Sequence, residues 1–279
     1  RTCSVVCHLF FMVTHKAWKK NLLIKYLCPR DFRRGEMEEI MNKVLLIIPA
    51  YNEQDSILST IDTIDEYNKN HSSNKLDYIV INDGSRDRTE EILTSNNKPH
   101  VKLVHNLGIG GAVQTGYKYA LEHNYDIAIQ FDGDGQHDVN FVEDVCKPIF
   151  DGKANMTIGS RFVEGSTSEF KSTKARQTGI KIISSFIKFF TGEKLYDVTS
   201  GFRAVDRGLI AQFAIDYPLE YPEPISTTQI LKEGKHVSEV PVEMNERSGG
   251  VSSIRSWKNA YYMINVLLSI MIIGTRRSK

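Results

Sequence analysis

The stretch 125–138, "YDIAIQFDGDGQHD", ends in three crowded aspartates, Asp132, Asp134 and Asp138, with Gly133, Gly135 and Gln136 among them. Carboxylates this close repel one another unless a cation intervenes. Two of them at i and i+2 beyond a strand can point the same way, and Gly133 leaves room for a bulky ligand. Hard divalent cations such as Mg²⁺ or Mn²⁺ take oxygen ligands, keep open positions and bridge to phosphates. Asp132 and Asp134, with the Gln136 amide as a third oxygen, therefore form a candidate clamp for a metal–diphosphate. A solvated Asp/Gly turn has the same composition, and spacing alone does not separate the two readings.

Other polar residues follow other apolar runs. "IIPAYNEQDS" carries Tyr51 and Glu53, and "VINDGSRDRT" carries Asp83. Carboxylates at such places accept hydrogen bonds from a base N–H or from ribose hydroxyls. Helix capping competes as an explanation, with Asp87 or Ser85 as the cap. In "HNLGIGGA", Gly108 and Gly110 fit G-x-G, but position 113 is Val113 and the run follows the third strand, so a dinucleotide fingerprint is weakly supported. These glycines read instead as letting a loop run close to a nucleotide.

The elements that must position these residues alternate. Apolar runs at 44–50, 76–82, 101–104, 126–131 and 155–159 read as strands, separated by segments with helical spacing. That order implies right-handed βαβ units and a mostly parallel sheet, whose ligands bind beyond the carboxyl ends of the strands. "PAYNE", "NDGSRD", "HNLGIGG", "DGDGQHD" and "GSRF" all fall there. The second half is less regular: a long helix at 175–190, "TSGFRAVDRGLIAQF" as a turn into a helix, a strand in "KHVSEVPVEM" and an apolar helix at the end.

With 279 residues, 41% hydrophobic and 25% charged, the chain can bury a sizeable core. A net charge of +1 gives no global argument for a nucleic-acid partner. Four cysteines without a disulfide or zinc spacing fit a reducing compartment. Residues 1–40 read as an N-terminal extension outside the fold. Residues 41–256 read as the main domain, and 257–279 as an apolar and basic C-terminal helix.

The motifs "IIPAYNE", "INDGSRDRTEEIL", "HNLGIGGAVQTGYKYA", "QFDGDGQHD", "GSRF", "TSGFRA" and "EVPVEMNERSGGVSS", in this order over about 44 to 256, resemble family 2 glycosyltransferases of the GT-A fold. The likeness is greatest to the branch containing dolichyl- and polyprenyl-phosphate sugar synthases. It implies a Rossmann-like nucleotide-binding α/β domain, a UDP- or GDP-linked sugar donor and Mg²⁺ or Mn²⁺. It implies that Asp132, Asp134 and Gln136 surround the metal, and that Pro49, Tyr51, Glu53, Asp83, Asn106, Gly111, Asp132 and Gly133 line the donor. Arg161 and Arg247 are expected near phosphates, with Arg176 and Ser252 on the acceptor side. Two departures remove positive charge from that region: Ile109 stands where relatives often carry a lysine, and so does Ser253.

The chemistry implied is displacement at an anomeric carbon, with Asp134, Arg161, Arg247 and Asp138 as the catalytic set. An anionic lipid-phosphate acceptor needs positioning by arginines. A glycan hydroxyl needs a base, for which Asp138 and Asp197 are the candidates. A non-catalytic nucleotide-binding module is the reading from another class. Arg203 and His137 read as structural. The apolar run 261–274 spans about 21 Å as a helix, short of the roughly 30 Å hydrocarbon core. It reads either as a helix in the headgroup region of an anionic leaflet, or as one packed on the protein's own core or in a homo-oligomer seam. A cytoplasmic enzyme in peripheral contact with the inner face of the plasma membrane is the localisation that follows.

Overall fold

The computed structural model describes residues 43–71, 75–166, 174–244 and 256–276. In chain order the elements are β1 (Val44–Ala50), α1 (Ile57–Asn70), β2 (Asp77–Asn82), α2 (Thr89–Ser95), β3 (His100–Lys102), α3 (Gly108–Glu122) and β4 (Ile127–Gln130). A 3₁₀ turn (Val139–Phe141) then leads into α4 (Val142–Phe150), β5 (Met156–Ser160) and α5 (Lys174–Thr191). The chain continues through β6 (Arg203–Asp206), α6 (Arg207–Ile215), α7 (Pro222–Lys232), β7 (Val237–Pro241) and α8 (Ser256–Thr275).

The strands form one sheet in the order β3-β2-β1-β4-β6-β5-β7. Their side chains alternate between two cores, as the period of two in a strand requires. Leu46 and Ile48 of β1 face one way with Ile57, Ile61 and Ile64 of α1 and Val142 and Val145 of α4. Leu45 and Ile47 face the other way with Val113 and Tyr117 of α3, Leu209 and Phe213 of α6, and Ile183 and Ile187 of α5. All seven residues of β1 are buried, which explains their continuous apolar run.

Most of the expected elements are present. Two features differ from the sequence expectation. Residues 199–213 are not simply a turn into a helix: they contain β6, which pairs antiparallel with both β4 and β5. Four residues with polar ends, Arg203 and Asp206, give too short an alternation to be read. The second is α7, in a segment where no helix was expected. Pro222 occupies its first turn, where the missing N–H costs nothing, and Tyr221 before it adopts φ 50°.

β1 lies between β2 and β4, so the connections turn one way before it and the other way after it. This reversal opens a crevice at the carboxyl ends of β1 and β4. Because β6 runs antiparallel, its amino end reaches the same edge, with Arg203 opposite Gln130.

Gly116 seats α3 on the sheet. A Cβ there would collide with the side chain of Ile47. Gly116→Ala should cost about 1–3 kcal/mol by overpacking. In urea unfolding, the double variant with Ile47→Ala should lose less than the sum of the two single variants.

Candidate active site

The loops after β1 and β2 are one unit. Ser85 Oγ accepts from the Asn52 amide (3.0 Å), and Asn52 Oδ1 accepts from the Arg86 amide (2.8 Å). Thr89 Oγ1 accepts from the Glu53 amide (3.0 Å), Asp87 Oδ2 from the Gln54 amide (3.1 Å), and Gln54 Oε1 from the Arg88 amide (3.1 Å). Asn52 holds φ 57°, a left-handed conformation that asparagine tolerates. This zipper fixes the positions of Tyr51, which is exposed, and of Glu53, half-buried and accepting from Ser56 Oγ at 2.7 Å. Pro49 is buried within β1.

Asp83 is buried, and both its carboxylate oxygens accept backbone amides: Leu107 at 2.7 Å and Gly108 at 2.9 Å. It caps α3 from a neighbouring strand, while Asp87 accepts from Thr89 at the start of α2. Burial pushes the Asp83 carboxyl up, and the two amides only partly offset that. Asn106 donates to the Asp83 carbonyl and accepts from Gly108.

The glycines of the 108–116 run differ among themselves: a Cβ on Gly108, at φ 79°, would meet nothing within 4 Å, whereas Gly110 and Gly111 face the protein's own atoms. A Cβ on Gly110 would strike the Pro218–Leu219 backbone, and one on Gly111 would strike Leu107. Both are buried in the first turns of α3, so the protein's own packing occupies the space they free.

Beyond β4, Asp134 is buried and accepts from the Gln136 amide at 3.1 Å, and Gln136 itself is half-buried. Thr60 of α1 donates to the Gly133 carbonyl at 3.1 Å, holding the loop against β1. His137 orients Asp132. The Asp132 amide donates to His137 Nδ1 (2.9 Å), which leaves the proton on Nε2, and Nε2 lies 3.5 Å from Asp132 Oδ2. The imidazole stacks on Phe202 with ring centroids 4.8 Å apart. Burial lowers its pKa and the aspartates raise it less, so it stays neutral near pH 7. His137 also bridges to Met244, in the segment that leads toward Arg247. Arg247 and Ser252 lie outside the described residues, as does the side chain of Arg176.

Among the described residues no group of three or more His, Cys, Asp and Glu side chains gathers to enclose a metal. Two carboxylates and one amide oxygen fit a hard cation that takes its other ligands from a bound diphosphate. A histidine N–H facing one carboxylate is a common orienting device around such ions.

Three sequence expectations change. Arg161 is buried and ion-paired: Nε donates to Asp197 Oδ2 at 2.7 Å and Nη2 to Oδ1 at 2.8 Å. A bidentate pair with Asp197 wholly buried is a structural staple, which displaces Arg161 from the phosphate role and Asp197 from the base role. Glu239 holds the same loop by accepting the Tyr196 and Asp197 amides, each at 2.7 Å. Asp138 spends one carboxylate oxygen capping the 3₁₀ turn through Asn140, at 2.9 Å, which weakens its case as a base. Arg203 is structural as expected: it is buried and donates to the carbonyls of Val198, Ser200 and Glu223 and to Thr227 Oγ1.

Sequence reasoning missed Glu223. It opens α7 beside β4, where Gln130 Nε2 lies 3.5 Å from its Oε1. Burial pushes its carboxyl up; Arg203 opposes the rise and Asp132 adds to it. Gln130 Oε1 is buried without a partner. "YPEP" reads as a loop, so the only signal was an acid between two prolines.

The chain matches the model of "Glycosyl transferase family 2" over residues 45–213. The chain belongs to this family. This glycosyltransferase is 27% identical to polyprenol monophosphomannose synthase of Mycolicibacterium smegmatis, over 76% of this chain and 81% of that one. It is 30% identical to UDP-N-acetylglucosamine–dolichyl-phosphate N-acetylglucosaminyltransferase of Methanococcus voltae, over 72% and 84%. Its fold resembles glucosyl-3-phosphoglycerate synthase from Mycobacterium tuberculosis, solved with Mn²⁺, UDP-glucose and phosphoglyceric acid. There the TM-score is 0.61 at 17% identity, covering 84% of this chain and 80% of that one.

Two outcomes follow. Asp197→Ala strands a buried guanidinium and should cost about 3–5 kcal/mol in urea unfolding; a loss below about 1 kcal/mol would return Arg161 to a ligand role. Glu223 has a raised pKa, so its contribution to folding is complete below the ordinary glutamate pKa and is lost as pH rises through the folded value. Glu223→Gln, without metal or nucleotide, should therefore match the parent's Tm at acid pH and exceed it at neutral pH.

Proposed function

We propose that this glycosyltransferase moves a sugar from a nucleotide-sugar to a polyprenyl-phosphate-type lipid, with Mg²⁺ or Mn²⁺ held by Asp132 and Asp134. The observation that carries this reading is the meeting of the two aspartates with the zippered 51–54 and 85–89 loops at one crevice. A nucleoside lying against Tyr51, Glu53 and Asp83 directs its diphosphate toward Asp132 and Asp134. The two sequence relatives are named for polyprenol monophosphomannose and for dolichyl phosphate, which supports a lipid phosphate as acceptor.

A cation held by Asp132 and Asp134 would supply Lewis-acid stabilisation of the charge on a leaving diphosphate. The remaining work falls to the chain. Asp132 is kept in one orientation by His137, and Asp134 by its place in the buried loop. A phosphate acceptor is already anionic near neutral pH, so no general base is required. Arg247, Arg176 and Ser252 are the residues proposed to receive it. Arg161 acts one step removed, by holding the 197–200 loop beside the site. A peripheral location at the inner face of the plasma membrane accompanies this reading.

Glu223 favours a second reading. A carboxylate with a raised pKa, near Asp132, suits the removal of a proton from a glycan hydroxyl. Under that reading Glu223→Gln abolishes transfer; under the first it leaves most of it.

The test is transfer of labelled sugar from a panel of UDP- and GDP-sugars, with Mn²⁺, to polyprenyl phosphate and separately to soluble glycans. We expect an organic-extractable product with polyprenyl phosphate. Asp134→Asn should remove it and weaken nucleoside-diphosphate binding by calorimetry by about 1.5–3 kcal/mol or more, the scale of one charged contact. Transfer to a glycan with none to the lipid overturns the acceptor assignment.

A further inference from the structure

Gln130 ends β4 and is only 1% exposed. Its amide has one partner and one orphan. Nε2 points to Glu223 Oε1 at 3.5 Å, while Oε1 is buried with no donor among the described residues. This orientation is the electrostatically matched one, because turning the amide over would set its oxygen against the carboxylate. A buried acceptor without a donor is destabilising, so a native chain keeps one where a ligand or a water supplies the donor.

The surroundings point to the substrate as that supplier. Phe131 belongs to the core on one side of the sheet, and its two neighbours Gln130 and Asp132 come together on the other. A Cβ on Gly201 would lie 3.0 Å from Asp132 Oδ2 and 3.0 Å from Gln130 Nε2. Any side chain at position 201 would therefore fill the gap between the metal-clamp carboxylate and the amide. Asp132 and Glu223 are each half-buried, so the recess that they border is reached from the crevice.

The recess is also held in one shape. The Glu223 carbonyl accepts from Arg203 Nη1 and from Thr227 Oγ1, each at 2.7 Å. Tyr221, just before α7, keeps a left-handed conformation that is costly for a bulky residue. Its ring meets that of Tyr262 in α8 edge-on at 4.7 Å. Glu223 is thus fixed from both sides, and it fixes Gln130 Nε2. The amide oxygen has no protein partner to turn to.

We infer that Gln130 is a specificity-determining residue: its Oε1 accepts from an O–H or N–H of the donor's sugar, and Glu223 holds the amide in the orientation that makes this possible. This rests on the nucleotide-sugar reading of the site. A sugar on a diphosphate held at Asp132 reaches Gln130 as the next polar group behind the clamp. A sugar lacking that O–H or N–H leaves the buried oxygen unpaired and is rejected.

Calorimetry with Mn²⁺ tests this without an acceptor. UDP- and GDP-linked glucose, mannose and N-acetylglucosamine are compared first, and the best-bound is followed by its monodeoxy and deoxyfluoro analogues. One position should cost at least about tenfold in Kd when its hydroxyl is removed, the scale of a buried acceptor left unpaired. Fluorine at that position should not restore binding, because it cannot donate. Where the best-bound sugar is N-acetylglucosamine, a loss seen only with the 2-O-acetyl analogue names the acetamido N–H as the donor; either source upholds the inference. Gln130→Met, close in volume and without an acceptor, should bring the ratio at that position to within about twofold. Its binding of sugar-free UDP or GDP should stay within about twofold of the parent's, which separates the loss of sugar reading from damage to the clamp. An equal loss at that position in parent and variant overturns the inference. So does a parent series in which no analogue loses more than about twofold, a result that holds even where Gln130→Met fails to fold. A chain that binds UDP or GDP with Mn²⁺ and discriminates in neither way overturns the assignment of Gln130 alone. A chain that binds no nucleotide and no nucleotide-sugar removes the donor reading and the assignment together.

Discussion

Arg203 is a buried cation with hydrogen-bond acceptors on three sides. Its guanidinium joins the carbonyls of Val198 and Ser200 to the Glu223 carbonyl and Thr227 hydroxyl at the start of α7. Removing it would leave several buried acceptors unpaired and the Glu223 carboxylate without its nearest opposing charge. The arrangement around it is tight: a Cβ on Gly201, between Ser200 and Phe202, would sit 3.0 Å from Asp132 Oδ2 and from Gln130 Nε2. The same loop is held from its other side by Arg161–Asp197 and by Glu239. Two buried arginines thus set the wall against which the clamp aspartates stand. Breaking either set of partners would leave an uncompensated buried charge, which is strongly destabilising.

Much of the sheet and of its loop edge was legible in the sequence because it follows from period and punctuation. Continuous apolar runs such as 44–50 mark strands buried on both faces, and polar clusters after them mark the ligand edge. Two things escaped. β6 is four residues long and antiparallel, and its polar ends hide the alternation, so the "TSGFRA" turn was not seen to bring Gly201 beside Asp132. α7 opens with two prolines around Glu223, in a segment for which no element was expected. Partner choice was illegible for a different reason. Whether an arginine meets a phosphate or a buried aspartate depends on which segments pack together, and Arg161 and Asp197 are 36 positions apart. The neighbours of Gly110, Gly111 and Gly116 were illegible on the same ground: they are a loop more than a hundred residues on, Leu107 and Ile47.

The site has two unlike ends. The end formed by the 51–54 and 85–89 loops is built from hydrogen bonds between loops. The other end combines a glutamate whose pKa burial raises and an unpartnered amide oxygen on Gln130. Preorganisation belongs where charge develops during transfer, and the aspartate loop shows it. His137 makes its contribution by tautomer alone, since a backbone N–H on Nδ1 leaves the other nitrogen a donor toward Asp132.

The central claim is that Asp132 and Asp134 hold a cation that bridges to the diphosphate at the β1–β4 crevice. Anomalous scattering from Mn²⁺ in crystals grown with a nucleoside diphosphate tests this most directly. One strong peak is expected at about 2.0–2.6 Å from carboxylate oxygens of both aspartates, the range of hard-cation coordination, with the diphosphate completing its ligands. A nucleotide bound in the crevice with Mn²⁺ elsewhere, or with the aspartates turned away from it, would contradict the account.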